Sequence, residues 1–241
     1  MAQIREIKKR IGAVKTIARI TKTMQMIATA KFTAALQRAE SSKPYAACLD
    51  DMVRQAASAA DTYESRLITG PDQPVNKELV LVICSDRGLC GAYNGNVLRT
   101  ALSHLRSLKE AGIDFDLEVA GKKGLGFFKF QRMSVDASHD IGDTPSYEDV
   151  SALAEDFISR FMAGDYDVIR IISMRFQSSS RQHPELKQLL PMTQETGEAT
   201  ETNEGRQLMY DFSPSSGELL DELLPLTCLL YTSPSPRDLY R

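Results

Sequence analysis

The chain has 241 residues and a hydrophobic fraction of 42%, which suits one large domain or one domain with an extension. Its four cysteines and three histidines show no paired metal-binding spacing, so we expect no metal site. No apolar run approaches the ~18 residues of a transmembrane helix. The N-terminus has no apolar stretch of the secretory type, which favours a protein that carries no targeting signal.

The net charge of −3 conceals a strongly basic N-terminal segment. Of the 29 basic and 32 acidic residues, nine and two respectively lie in residues 1–40. Nucleic acid, an anionic membrane and an acidic protein are the possible partners of such a segment. Phe32 is its only aromatic residue and no nucleic-acid module is recognisable, so an acidic protein or a partner helix fits best. Between Glu6 and Glu40 there is no other carboxylate. The basic residues in this interval are Lys8, Lys9, Arg10, Lys15, Arg19, Lys22, Lys31 and Arg38.

The first 70 residues are predicted to form one long helical arm. Strong helix formers dominate, and Pro44 is expected to bend the helix without ending it. The breaker-rich residues 70–74 mark the boundary. Apolar residues follow the 3-4 spacing of one helix face, and a second apolar stripe is offset from it, which indicates a rod held between several surfaces. The first stripe is Ile4, Ile7, Ile11 and Val14, and the second is Ile17, Ile20, Met24 and Ile27.

Residues 76–212 are predicted to form a three-layer, Rossmann-like α/β domain. Apolar runs at 79–84 and 168–174 and alternation at 115–119 predict strands, and the periodic segments at 97–108 and 150–161 predict helices. Ser146 is the expected N-cap of the second of these helices. The alternation of strands with helices predicts a parallel sheet. This regular alternation ends near residue 190. Residues 193–206 are expected to form a loop.

The C-terminal part breaks this pattern. Residues 215–224 predict the start of a helix, but Pro225 falls inside it and further prolines follow at positions 234 and 236. We therefore expect an incomplete C-terminal helix, followed at 225–241 by a foreign or disordered tail. The expectation is that the chain cannot complete a helical pair on its own and that apolar surface of the first helix remains exposed.

The residues SDRGLCGA at 85–92 lie between a predicted buried strand and a helix, where α/β sheets place ligand and catalytic loops. Cys90 would be the nucleophile if this turn were the elbow of a cysteine-dependent hydrolase. A base would then have to come from His104, His139 or His183, and no spacing favours any of them. The alternative is a tight turn in which Cys90 is a packed side chain. Residues 121–126 resemble a phosphate loop but lack its G-K-[ST] ending, which favours an ordinary turn.

Three motifs in order resemble the gamma subunit family of F-type ATP synthases. They are IREIKKRI at 4–11, ITKTMQMIATAKF at 20–32 and SDRGLCG at 85–91, and the approach to the last helix at 210–224 is also similar. The resemblance covers about residues 1–226, with Gln25 standing where the family usually has Lys. It implies a non-catalytic rotor with no cofactor or metal, whose first helix forms half of an antiparallel coiled-coil shaft. The α/β domain would be the foot of that shaft.

The resemblance also implies the partners. The shaft would enter the ring of alpha and beta subunits, and the foot would rest on the epsilon subunit and the membrane c-ring, so membrane association would occur only through the complex. A bacterial plasma membrane, cytoplasmic side, is the expected location. Contacts with the catalytic head are expected from Arg5, Lys8, Lys9, Lys22, Met24, Met26 and Lys31. The family's signature loop is Ser85, Asp86, Arg87, Gly88, Cys90 and Gly91, and Tyr210 would be a contact of the foot.

Overall fold

The structure is a computed structural model that describes residues 2–59, 65–70, 74–142, 147–178, 181–192, 219–220 and 223–227. Several expectations concern residues outside these ranges. They are the cap at Ser146, the loop at 193–206, the foot contact at Tyr210 and most of the C-terminal tail.

Helix α1 (Ala2–Ala59) is the longest element and is about 87 Å long at 1.5 Å per residue. It passes through Pro44, as the sequence predicts. Thr16 and Thr23 occur inside it without disrupting it because their hydroxyls donate to the carbonyls of Gly12 and Arg19, at 3.0 and 3.1 Å. A short helix α2 (Arg66–Thr69) follows, with Ser65 as its N-cap. The arm therefore remains helical over nearly the whole predicted range.

A five-stranded sheet forms the centre of the foot, which comprises residues 74–192. Its strands are β1 (Lys77–Ile83), β2 (Asp114–Ala120), β3 (Ala137–His139), β4 (Val168–Ser178) and β5 (Arg181–Leu190), in the order β3-β2-β1-β4-β5. The first four strands are parallel, but β5 returns antiparallel to β4. The expectation of a wholly parallel sheet is therefore wrong at β5, whose polar, proline-containing sequence gives no strand signal.

Helices cover both faces of the sheet, which confirms the three-layer architecture. On one face, α3 (Tyr93–Ala111) and α4 (Lys122–Phe130) pack over Val80 and Val82. On the other face, α5 (Tyr147–Ala163), α2 and the end of α1 pack over Leu79 and Leu81. Alternate residues of β1 therefore enter two different cores, as expected of a strand buried on both sides.

The C-terminal helix continues through Pro225, contrary to the expectation that it ends there. Residues 223–227 are helical, and the Thr227 hydroxyl donates to the Leu223 carbonyl at 3.0 Å. Leu220 and Leu224 are fully buried in the core on the α5 side. Burial of each leucine contributes roughly 1.5–3 kcal/mol, which offsets the ~3 kcal/mol cost of a proline inside a helix. None of the described helices is both long and apolar enough to span a membrane.

Candidate functional site

The N-terminal half of α1 is a solvent-exposed rod. Every described side chain from Gln3 to Lys31 is exposed in this chain, and Val14 retains 63% of its accessible surface. The large apolar side chains exposed on this half are Ile4, Ile7, Ile11, Val14, Ile17, Ile20, Met24, Met26 and Ile27. Apolar exposure of this extent is typical of a surface that is covered in an assembly.

A single 3-4 spacing continues along α1 from Ile4 to Ala56, and we call these positions the seam. Its lower part is buried against the foot: Ala35 packs with Phe176 of β4, and Ala56 joins the core on the α5 side. A seam on a straight helix drifts by about 20° per heptad, which a left-handed supercoil corrects. The seam positions are Ile4, Ile7, Ile11, Val14, Ala18, Thr21, Gln25, Ala28, Phe32, Ala35, Ala39, Ser42, Ala46, Leu49, Val53 and Ala56.

The middle of α1 carries a second apolar surface, which we call the outer stripe. Its members Ile17, Ile20, Met24 and Ile27 each precede a seam residue by one position, a rotation of about 100° around the helix. The seam itself has only small or polar residues between Ala18 and Ala28. A partner helix on the seam would therefore leave the outer stripe facing a different neighbour.

The predicted head-contact cations of α1 are exposed and spread around the rod. Arg5, Lys8, Lys9 and Lys22 form no ion pair within the described part of the chain. Arg10, in contrast, bonds Glu6 one turn away at 2.9 Å. Met24 and Met26 are half or more exposed and lie two residues apart, so they point to different sides of the helix. The structure therefore places these predicted contacts on one exposed rod.

The signature loop joins β1 to α3 and is held in one shape by Asn94. The Ser85 amide donates to the Asn94 side-chain oxygen at 3.0 Å, and the Asn94 amide group donates to Ser85 Oγ at 2.8 Å. Asp86 accepts the Lys122 backbone amide at 2.9 Å, which ties the loop to the start of α4. Leu89, at the tip, is 92% exposed with a φ of 65°. The loop is thus fastened to α3 and α4 while its tip projects into solvent.

The surroundings of Cys90 do not support the hydrolase alternative. The thiol accepts from the Asn94 amide at 3.1 Å and lies 3.8 Å from Ser85 Oγ. His104 and His139 instead bond the buried carboxylates of Glu78 and Glu118. No histidine among the described residues pairs with Cys90, so the thiol lacks the base that a nucleophilic mechanism requires.

Two buried ionic clusters in the foot were not predicted from the sequence. On the α3 face, Glu78 accepts from His104 and also from Arg170, at 2.7 Å, and so joins helix α3 to β1 and β4. On the α5 face, Glu118 accepts from His139 and Arg160, both at 2.7 Å. An isolated Glu within an apolar strand was the only available signal, because the partners are distant in sequence.

The α5-face cluster holds its carboxyls ionised. Burial opposes the charge of Glu118, but the hydrogen bonds from His139 and Arg160 together hold its pKa below the usual value. Burial likewise opposes ionisation of Asp116, and hydrogen bonds from Tyr166 and Lys77 lower its pKa overall. Buried charges that are paired in this way do not need to be neutralised. The cluster connects β1, β2, β3 and α5 into one unit.

The comparisons with known proteins agree along nearly the whole chain. The family model described as ATP synthase matches residues 3–231. The ATP synthase gamma chain of Leptospira biflexa is 36% identical over 94% of this chain and 77% of its own length. That of Erythrobacter litoralis is 35% identical over 93% and 77%.

A solved structure shares the fold. A chain of the central stalk and c-ring of the Tetrahymena thermophila mitochondrial ATP synthase superimposes with a TM-score of 0.58. The match covers 92% of this chain and 95% of that one, at 16% sequence identity. Similarity at that identity establishes a common fold, namely a long helix with an attached α/β foot.

Proposed function

This chain belongs to the ATP synthase gamma chain family and is a non-catalytic subunit of the central stalk, and from this premise we propose that α1 is one half of its rotating shaft. The observation that carries the proposal is the seam. It begins at Ile4 on the exposed rod and ends at Ala56 in the core of the foot. A 3-4 repeat of this length, apolar toward both ends and small or polar in the middle, suits helix pairing in a left-handed coiled coil.

The partner of the seam would be a C-terminal helix running antiparallel to α1. Residues 219–220 and 223–227 are helical, and Leu220 enters the same core as Ala56. A helix that starts beside the lower end of α1 and continues along the seam would bury Ile4, Ile7 and Ile11. Small residues such as Ala18 and Ala28 would let the two helices approach closely in the middle of the shaft.

Rotation inside the catalytic head would act through the outer stripe and the α1 cations. Ile17, Met24 and Ile27 would slide on the apolar inner surface of the alpha and beta subunits. Arg5, Lys8, Lys9, Lys22 and Lys31 would attract acidic loops of the beta subunits as they pass. Exposed ion pairs contribute only ~0–1 kcal/mol each, so such contacts transmit force without locking the rotor in one position.

The foot would rest on the epsilon subunit and on the c-ring, so that rotation of the ring turns the shaft. Tyr210 is the proposed contact at this end. The chain is part of a membrane-associated complex. The relatives quoted above are bacterial, which supports a bacterial plasma membrane, and its cytoplasmic side is the proposed location.

Neutralising the α1 cations tests the proposed head contacts. The variant carries Arg5→Gln, Lys8→Gln, Lys9→Gln, Lys22→Gln and Lys31→Gln in the assembled synthase. We expect ATP hydrolysis to persist while ATP-driven proton pumping falls several-fold, because force transmission is lost and catalysis belongs to other subunits. The matched control is Glu6→Gln with Arg10→Gln, a pair already joined within α1, and pumping should remain normal. Full pumping in the five-residue variant would contradict the proposed role of these cations.

A further inference from the structure

The two helical faces of the foot carry opposite charge. Helix α5 presents four exposed carboxylates, and its one basic residue, Arg160, is half-buried and bonded to Glu118. Helices α3 and α4 carry one exposed carboxylate, Glu110, whereas these two helices and the turn after α4 carry seven exposed cations, which we call the basic face. The basic face consists of Arg99, Arg106, Lys109, Lys122, Lys123, Lys129 and Arg132.

Most of these cations are not used within the foot. Lys122 approaches Asp140 at 3.4 Å, and Lys109 lies over the Phe115 ring at 5.7 Å. The side chains of the other five form no ion pair or hydrogen bond within the described residues. Uncompensated like charges on neighbouring helices repel one another. A surface of this kind is stabilised when opposite charge is brought to it.

Apolar side chains project beside the same cations. Phe130 ends α4 and is 83% exposed, between Lys129 and the turn at Arg132. Lys123 and Phe130 are both exposed and lie seven residues apart, which places them on the same side of α4. Leu89 projects from the signature loop at the other end of α4, where a Cβ on Gly88 would lie 3.7 Å from the Lys123 side chain. The basic face therefore has an apolar anchor at each end of α4.

We propose that the basic face docks an acidic protein surface that has an apolar recess for Phe130. Aromatic residues and arginine are enriched in protein interfaces, and the basic face has three arginines beside the exposed Phe130. A membrane surface fits less well, because an interfacial helix inserts a continuous apolar face. The buried side of α3 and α4, with Val97, Leu105 and Phe128, is already occupied by the sheet. This surface is distinct from α1, so the docking does not depend on the shaft.

The first test uses the assembled ATP synthase and the isolated chain. Lysines are acetylated under native conditions, and mass spectrometry gives the rate at Lys109, Lys123 and Lys129. We expect several-fold slower acetylation in the complex. Carbodiimide treatment of the complex should also join Lys123 or Lys129 to a carboxylate of another subunit. Equal acetylation rates, or cross-links that stay within this chain, would overturn the proposal.

Charge reversal supplies the second test. Arg99→Glu with Arg106→Glu should weaken retention of the chain in the complex, so that the chain dissociates at a lower salt concentration than the wild type. Arg99→Lys with Arg106→Lys should retain the chain as the wild type does. The control, Glu148→Lys with Glu155→Lys on α5, should leave retention unchanged, with thermal unfolding checking that each variant folds. Equal retention of the reversed and control variants would contradict docking. Protection of the lysines by phosphatidylglycerol vesicles alone would replace the protein partner with a lipid surface.

Discussion

The N-terminal half of α1 and the foot show how differently two parts of one chain can be stabilised. The foot buries apolar residues on both sides of its sheet and pairs its interior charges, so its structure follows from contacts within the chain. From Gln3 to Lys31, α1 has no buried side chain among those described, so its support there comes mainly from helix propensity and local hydrogen bonds. The foot is a folded domain, whereas the rod is a surface that requires partners.

The largest expected effect is the loss of a buried ionic partner in the foot. Arg160→Leu removes the guanidinium that bonds Glu118, Asp156 and Tyr166. The buried Glu118 carboxylate would keep only His139 as a charged partner, so the free energy of unfolding should fall by up to about 3–5 kcal/mol. Urea unfolding of the isolated chain measures this. A loss below about 1 kcal/mol would mean that water reaches Glu118 and that the cluster does not hold the α5 face together.

A cavity in the foot core should rank next. Leu81 is fully buried in the core under α5, so a smaller side chain at this position would leave a void. Leu81→Ala should therefore lower the free energy of unfolding by about 2–5 kcal/mol. The same urea titration applies, with an unchanged slope as the control for two-state behaviour. Wild-type stability in this variant would contradict the tight packing of the sheet.

Acid should destabilise the foot through Glu118 and Asp116. Because partners lower the folded-state pKa of both carboxyls, their stabilising contribution is present above the unfolded pKa, near 4, and is lost as pH falls through the folded values. Unfolding measured between about pH 6 and pH 2 should show this decline, and Glu118→Gln should flatten it. The control, Glu148→Gln on the exposed surface of α5, should retain the wild-type slope. An unchanged slope in Glu118→Gln would exclude this carboxyl as a source of the dependence.

The smallest effect is expected on the rod. Ile11→Ala in the isolated chain should change the free energy of unfolding by no more than about 0.5 kcal/mol, because the side chain is exposed and has no described contact. The same substitution in the assembled synthase should weaken assembly or coupling if the seam is occupied there. A loss of several kcal/mol in the isolated chain would show that α1 is already packed in it.

The sequence predicts elements well where one local pattern determines them. Strands β1, β2 and β4 follow from apolar runs or alternation, and α1 follows from its composition and the 3-4 spacing. Strand β5 could not be predicted, since its pairing with β4 compensates for a polar sequence that contains Pro184. The Glu118–His139–Arg160 cluster was missed because the three residues meet only after the sheet forms. The offset of Ile17 and Met24 from the first apolar stripe can be read from the sequence. Only the burial of Ala35 and Ala56 shows which of the two stripes continues into the foot.

Hydrogen exchange of α1, compared between the isolated chain and the assembled synthase, tests the central distinction between rod and foot most directly. In the isolated chain, amides of residues 3–31 should exchange fast while those of β1 remain protected, because only the foot is stabilised by its own contacts. In the synthase, both should be protected. Strong protection of residues 3–31 in the isolated chain, or fast exchange there in the synthase, would contradict α1 as a shaft that depends on its partners.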